Sequence, residues 1–329
     1  MRYYEIIITT VDGKELRPSS LGGQRISSLL PNGLTNPAAL NIELDLPVGP
    51  FAAPIGNAFV RIWGLGLKDI GNSFDLNGAN VKVYGGMAPG LPLASAAYGE
   101  GQAGLLVQGS ILQAYGNWVG TVQTVDLVIY ASTGTPDTPK GYVLNWPKGT
   151  TLASALKQML DVALPGMKQN IVISSNLVQA YDETHHTGTL EAMSAFIKDR
   201  SKGIITDQNY RGVEIFRNGD IIVASDLSTP PASKTIQVRD LIGQPTWIRP
   251  NVIQVKTIMR ADLSIDDVIS IPNSLIQTQQ AALISFTDPK ANLTFAGDFL
   301  INELHHFGDF RQPDAASWNT TFNAAKQPK

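Results

Sequence analysis

Apolar and polar positions alternate with a period of two over much of the first 130 residues. Residues 3–10 read as a strand, Asn41–Leu46 alternates strictly and stops at Pro47, and Val60–Leu65 and Val81–Tyr84 are two further short strands. The longest β pattern is Ala103–Tyr130. There, two runs rich in β-branched residues flank Gly116-Asn117-Trp118-Val119-Gly120, which predicts a long-armed hairpin. In the first arm Val107, Gly109, Ile111, Gln113 and Tyr115 share one face, and Leu106, Gln108, Ser110, Leu112 and Ala114 the other. In the second arm Val125, Leu127 and Ile129 alternate with Thr124, Asp126 and Val128. Neither face of the hairpin is cleanly apolar. Such strands suit a sheet touched on both sides, by the chain's own core and by another subunit. An ordinary hairpin inside a large β fold accounts for the residues equally well. Before the hairpin, Gly85–Gln102 carries Gly, Ala and Pro without periodicity and reads as a long surface loop.

The pattern then changes. Ser132–Lys140 is polar and turn-rich, a domain boundary, and a strand follows at Gly141–Trp146. Leu152, Leu156, Met159, Leu160 and Ala163 recur at helical spacing up to a Pro165-Gly166 stop. Ile171–Ile173 is a strand, and a second helix starts near Thr189 with the stripe Leu190, Met193, Phe196 and Ile197. Val213–Phe216 and Ile221–Ala224 pair across Arg217-Asn218-Gly219-Asp220, a hairpin signal. From Thr235 the chain returns to β, with strands at Val252–Arg260, within Asp262–Pro272, at Phe299–Phe307 and at Ser317–Phe322. The tail Asn323–Lys329 is expected to fray. The fold class is therefore a β-rich α+β protein, with a β domain at 1–132, a small α+β domain at 133–234 and a second β domain at 235–329. No repeat is visible residue by residue, although the order β, mixed, β points to two related barrels.

Composition narrows the function. At 329 residues the chain is long enough for two or three domains. Only 16% of residues are charged, against about a quarter in ordinary proteins, so partners are expected to cover much of the exterior. The net charge of −3, without a basic run, lacks the positive footprint of a dedicated nucleic-acid binder. There is no cysteine, which excludes disulfides, thiolate metal sites and thiol nucleophiles. The opening Ile6-Ile7-Ile8 run is far too short for a signal peptide core or a membrane span, so folding in a cytoplasm is expected.

No set of residues assembles into a catalytic constellation. Gly99-Glu100-Gly101-Gln102-Ala103-Gly104 matches G-x-G-x-x-G, but a loop precedes it and a strand follows, where a dinucleotide site needs strand then helix. His185-His186, with Asp182 and Glu183, could be taken for a metal cluster. Adjacent histidines point apart in a strand, no metal-binding spacing is present, and a polar loop before the second helix is the simpler reading. His305-His306 lie in a strand, so one faces in, as a buried and hydrogen-bonded histidine, and one faces out. Ser110 follows Gly109 in mid-strand, without the elbow a nucleophilic serine needs. Glu43 with Asp45, and Asp266 with Asp267, are the carboxylate pairs open to glycoside chemistry, which needs carboxyls about 5–9 Å apart. A solvated strand face and an acidic turn explain them without catalysis. Asn292-Leu293-Thr294 and Asn319-Thr320-Thr321 match the glycosylation acceptor, which means little without a secretion signal.

The last third carries a family resemblance. A strand ending in His305-His306-Phe307-Gly308-Asp309, followed by Trp318-Asn319-Thr320, resembles the baseplate hub proteins of contractile-tailed bacteriophages, a group that includes late-control tail proteins. His306, Gly308, Asp309, Trp318 and Thr320 fit the family's pattern of a His-x-Gly-Asp turn and a barrel-closing Trp-x-Thr strand. The Val81–Leu93 run, with Gly90-Leu91-Pro92-Leu93, and the long hairpin look like the first barrel of the same family. The resemblance implies two tube-protein-like β-barrels per chain with the α+β domain between them. It further implies a homotrimer whose ring of six similar barrels joins the hexameric tail tube to a trimeric central spike. Other baseplate proteins and the tape measure protein are further neighbours, and DNA touches the protein only in transit through the lumen. The place implied is the virion baseplate, assembled in the host bacterial cytoplasm, with no membrane insertion, no enzyme activity, no cofactor and no catalytic or metal residue. The spike base of a related injection or secretion system, and a carbohydrate-active β-rich enzyme, are the competing readings.

Overall fold

The computed structural model describes residues 1–88, 102–131, 141–271, 295 and 297–327. The first β-rich part contains β1 (Arg2–Thr9), β2 (Ile26–Ser27), β3 (Ile42–Val48), β4 (Ala58–Trp63), the short helix α1 (Leu67–Gly71), β5 (Asn80–Met87), β6 (Gly104–Val119) and β7 (Val122–Tyr130). The middle contains β8 (Tyr142–Trp146), α2 (Leu152–Ala163), β9 (Lys168–Val172), β10 (Glu183–Thr187), α3 (Leu190–Ile204), β11 (Glu214–Asn218) and β12 (Ile221–Ser225). The last part contains β13 (Lys234–Thr235), β14 (Thr246–Arg249), β15 (Val252–Ile258), β16 (Val268–Ile271), β17 (Gly297–Asp309) and β18 (Trp318–Lys326).

The two longer helices, α2 and α3, form where the apolar spacing places them, and each begins on a capping threonine. Thr151 Oγ1 accepts from the Ser154 N–H, and Thr189 Oγ1 accepts from the Ala192 N–H. Leu152, Leu156, Met159 and Leu160 of α2 are buried together, at roughly 1.5–3 kcal/mol of transfer free energy for each large side chain. The Gly-containing hairpin forms one residue later than expected. Asn218 pairs with Ile221, so Gly219 (φ 60°) and Asp220 make the turn.

The first and last parts share one thirteen-stranded sheet, antiparallel except where β13 meets β16. Its order repeats. In the first part the strands lie β3-β4-β7-β6-β5-β1, and in the last β14-β15-β18-β17-β16-β13, the same chain order twice. In both units the first hairpin arm carries a β-bulge. Leu112 is left over between Ile111↔Ile129 and Gln113↔Val128, and Asn302 between Ile301↔Ala324 and Glu303↔Asn323. The bulge at Leu112 shifts the side-chain phase, so Ile111 and then Ala114 face inward. This corrects the single-phase faces expected for that arm and explains why neither looked apolar. The hairpin is also tighter than expected: Val119 pairs with Val122, leaving Gly120-Thr121 as a two-residue turn.

Among the described residues no series of strand pairings closes on itself, so the two expected barrels take the form of one continuous sheet with two cores. The reason lies in β17. Its first residues pair with β16, while Leu304–Asp309 on the same edge pair with β3, carrying the sheet across to the other unit. Each part has its own hydrophobic cluster, largely aliphatic in the first and rich in Phe in the last (Phe216, Phe295, Phe299, Phe322). Two further expectations are corrected. His185 and His186 lie in β10, paired to β8, instead of a loop. The chain does not fray after Phe322: β18 continues to Lys326, with Ala324 fully buried. The strand at Val81 runs on to Met87; the expected loop from residue 89 to 101, the run to Leu93 and the boundary at 132–140 lie outside the described residues.

Candidate interaction surface

The seam between the two units collects most of the residues that the sequence singled out. His306 and Thr320 are cross-strand partners, as are Gly308 and Trp318. His306 is buried, with Nδ1 2.8 Å from Thr320 Oγ1, which also accepts the Arg260 N–H at 3.0 Å. Burial, and secondarily the neighbouring His305, pushes the imidazole pKa down to about 4, so it is neutral at physiological pH. Gly308 has no room for a side chain: a Cβ there would lie 2.7 and 2.9 Å from Trp318 ring carbons and 3.2 Å from Met259 Cε. The Trp318 ring fills the space a side chain at Gly308 would need. It packs into the first unit's core rather than closing its own unit, and its indole N–H donates to the Gly86 carbonyl at 3.0 Å. Asp309 Oδ1 accepts from the Arg311 and Gln312 N–H groups at 3.3 Å and shapes the turn after β17.

One seam element went unseen in the sequence. Arg260 donates to Asp240 (3.0 Å) and twice to Asp262 (2.9 and 2.6 Å), and Gln102 Nε2 reaches Asp240 at 3.3 Å. In the sequence Arg260 reads as the end of a strand. The neighbouring Asp262 was the available signal, whereas Asp240 and Gln102 are distant in sequence.

On the opposite face the sheet presents a surface that crosses both units. Ile258, Asn319, Phe307, Asp45, Phe59, Val128 and Gln113 are successive cross-strand neighbours on seven strands. Phe307 is 47% exposed in the middle of this row. In the next row Glu43, Arg61 and Asp126 lie side by side. Arg61 makes a two-pronged contact with Asp126 (2.8 Å each), approaches Glu43 at 3.7 Å and lies over the Phe59 and Trp63 rings. Asp45 contacts His305, which faces outward. Of the charges named here, the three carboxylates Glu43, Asp45 and Asp126 are thus engaged by one guanidinium and one imidazole.

Neither carboxylate pair forms a catalytic cradle. Glu43 and Asp45 are engaged as just described. Asp266 is buried against Arg211; burial raises its pKa, opposed by that guanidinium. Asp267 accepts from Lys234 Nζ at 2.6 Å and the Ser264 N–H at 2.7 Å. His185 stacks on Phe196 with ring centroids 3.6 Å apart, while His186 is exposed on the other side of β10. Asp182 caps the Lys148 N–H, and Glu183 pairs with Arg200 at 2.8 Å. No group of three or more metal-ligating side chains occurs among the described residues, nor does a helix long and apolar enough to cross a membrane. Ser110 is buried in mid-strand, and Gly99 and Gly101 lie outside the described residues.

By sequence, no family model matches the chain, and no curated protein does. Its solved structural neighbours are phage tail and type VI secretion proteins. The E. coli c3393 protein, a component of the type VI secretion system with structural similarity to the T4 bacteriophage tail proteins gp27 and gp5, matches over 88% of this chain and 74% of its own length. The TM-score is 0.50 at 9% identity. A tail protein from Neisseria meningitidis MC58 matches over 98% of this chain and 97% of its own, with TM-score 0.49 and 11% identity. The 43 kDa tail protein of prophage MuSo2 from Shewanella oneidensis matches over 98% and 96%, with TM-score 0.49 and 9% identity. At such identities the similarity to the E. coli protein defines a β-rich tail-protein fold.

Proposed function

We propose that this chain is the structural hub of a contractile phage-tail baseplate, acting as a homotrimer that joins a six-fold tail tube to a three-fold spike. The observation that supports this reading is the strand plan used twice and joined edge to edge by β17 and β3. Two equivalent units per chain around a three-fold axis present six similar units to a tube, while the trimer keeps three-fold symmetry for a spike. The units correspond to residues 1–132 and 235–329, with the α+β domain of residues 133–234 set apart from the ring wall. Other baseplate proteins and the tape measure protein complete the surroundings in the virion, after assembly in the host cytoplasm. DNA passes through the lumen without being gripped, and the acidic leaning of the cross-unit face suits that role, because cationic groups would hold phosphates. The engaged carboxylates favour a structural over a catalytic protein.

The secretion-system neighbour favours one second reading, the spike base of a related contractile injection or secretion machine, which uses the same ring. Light scattering on the purified chain tests both. A trimer that binds a tube or spike protein is expected; a monomer at micromolar concentration that binds neither would remove both.

A further inference from the structure

Among the described residues the repeat leaves one pairing unmatched. Within the chain, the part of β17 beyond its bulge pairs with β3, in a register that sets Phe307 opposite Asp45. Counting from each bulge, Glu303 corresponds to Gln113 and Phe307 to Asn117. Along the row that holds the residue after the bulge, Gln113–Val128–Phe59–Asp45 in the first unit corresponds to Glu303–Asn323–Gln254–Thr246 in the last. Asp45 therefore corresponds to Thr246. The equivalent of the β17–β3 seam is a pairing of β6 beyond Leu112 with β14, and within one chain these strands lie in different units and do not pair.

Both edges are suited to receive it. Alternation along β6 turns the backbone groups of Ala114, Gly116 and Trp118 away from β7. The Ala114 N–H is capped by Asn77 Oδ1 at 2.9 Å; among the described residues Gly116 and Trp118 have no backbone partner on that side, although Ile70 and Ser73 lie against Gly116, where a Cβ would meet Ile70 O at 2.5 Å and Ser73 Oγ at 2.9 Å, so the fully open stretch is Asn117–Val119. On β14 the same alternation turns the Trp247 backbone away from β15. The apolar side chains beside these edges are unusually exposed: Tyr115 40%, Trp118 62%, Val119 75% and Ile248 42%. An open apolar edge of this kind is a template for strand addition.

We infer that β14 of one copy of this chain adds antiparallel to the Tyr115–Val119 segment of β6 in the next copy, with Asn117 opposite Thr246 and Gly116 opposite Trp247. The occupant is a second copy because the chain already makes this joint once, with the corresponding strands and the corresponding register. The contact is head-to-tail, so each copy offers one edge of each kind and the assembly closes into a ring or extends. Pro245, which lacks an N–H, ends the pairing opposite Trp118. This inference rests on the ring reading above and specifies its joint.

The chain has no cysteine, so introduced thiols report without background. Asn117 and Thr246 would form a non-hydrogen-bonded pair, whose Cα atoms lie about 4.5 Å apart, within disulfide reach. In the double variant Asn117→Cys with Thr246→Cys, oxidation should yield a ladder of covalent oligomers that collapses on reduction. Each single variant, and the pair shifted by two residues (Tyr115→Cys with Thr246→Cys), should yield none. Trp118→Pro removes one outward N–H at the exposed hairpin end and should weaken self-association by about tenfold, the value of one hydrogen bond, while the circular dichroism spectrum is unchanged. A trimeric mass without a ladder, or with normal assembly of Trp118→Pro, would overturn this joint and leave the ring reading standing. A monomeric parent chain without a ladder would overturn both.

Discussion

The two β units follow one strand order with different materials. The first closes its flank with β1, eight residues paired along their whole length to β5, while the last has only the two-residue β13, running parallel to β16. The first unit's β3 is seven residues long and is taken up by β17, whereas its counterpart β14 has four residues, a bulge and, among the described residues, no strand on its other side. Their cores differ in composition, the first largely aliphatic and the last with four Phe among its aliphatic residues, and the first borrows Met259 and Trp318 from the last. The lesson is that pairing order and bulge position carry the shared architecture, while side-chain identity is free to drift as long as volume and polarity are kept. What the two units do not share is where they join: one joint is made inside the chain, and we assign its counterpart to a neighbouring copy.

The largest effect should come from breaking the borrowed contact. Trp318→Ala should cost about 3–5 kcal/mol in urea denaturation. Amide exchange should quicken in β1 and β5 of the first unit, although the mutation lies in the last part. Phe322→Ala, four residues along the same strand, should cost a similar amount and quicken exchange in β15 and β17 instead. Equal patterns from the two variants would contradict separate cores. Gly308→Ala should cost roughly 1–3 kcal/mol, because the new methyl meets the Trp318 ring. Ala at Gly120, an exposed turn glycine with nothing within 4 Å of its Cβ, meets no neighbour and serves as the contrast, with only the strain of a positive φ to register in the same denaturation series.

The seam should also be acid-sensitive. His306 has a folded pKa of about 4 against an ordinary value near 6.5. The unfolded chain therefore binds more protons between these limits, and stability should fall as pH drops from about 6.5 to about 4. The loss amounts to about 3 kcal/mol for that shift. His306→Gln should flatten this part of the curve relative to the parent, which separates the imidazole from carboxylates titrating nearby. The smallest effect belongs to the exposed Asp45–His305 pair. Asp45→Asn should change stability by less than about 0.5 kcal/mol, as thermal melts at pH 7 would show.

Local order was legible in the sequence where one side-chain period rules a segment. The stripe Leu152–Ala163 announced α2, and the stripe after Thr189 announced α3. The bulges at Leu112 and Asn302 were not legible, because a bulge asks for an extra residue and not for a particular one. Once missed, Leu112 put Gln113 and Ala114 on the wrong faces. β10 was hidden because His185 is half-buried by stacking on Phe196, not by being apolar. β18 was cut short at Phe322 because Asn323 and Ala325 look like tail residues, whereas the buried Ala324 holds them in the sheet. The seam was half legible. His306, Gly308, Trp318 and Thr320 were found as a motif, but the partner they serve, the core of residues 1–131, lies too far away in sequence for any local pattern to reveal. The repeated strand order was invisible for the same reason, since pairing order leaves no trace in identities.

Class-averaged electron micrographs of the purified assembly, or of a tail that contains it, test the central claim most directly. The account predicts a closed ring of six similar lobes around an open lumen, made by three chains. A solitary molecule with both ends of its sheet bare, or a ring whose lobes number the same as its chains, would contradict it.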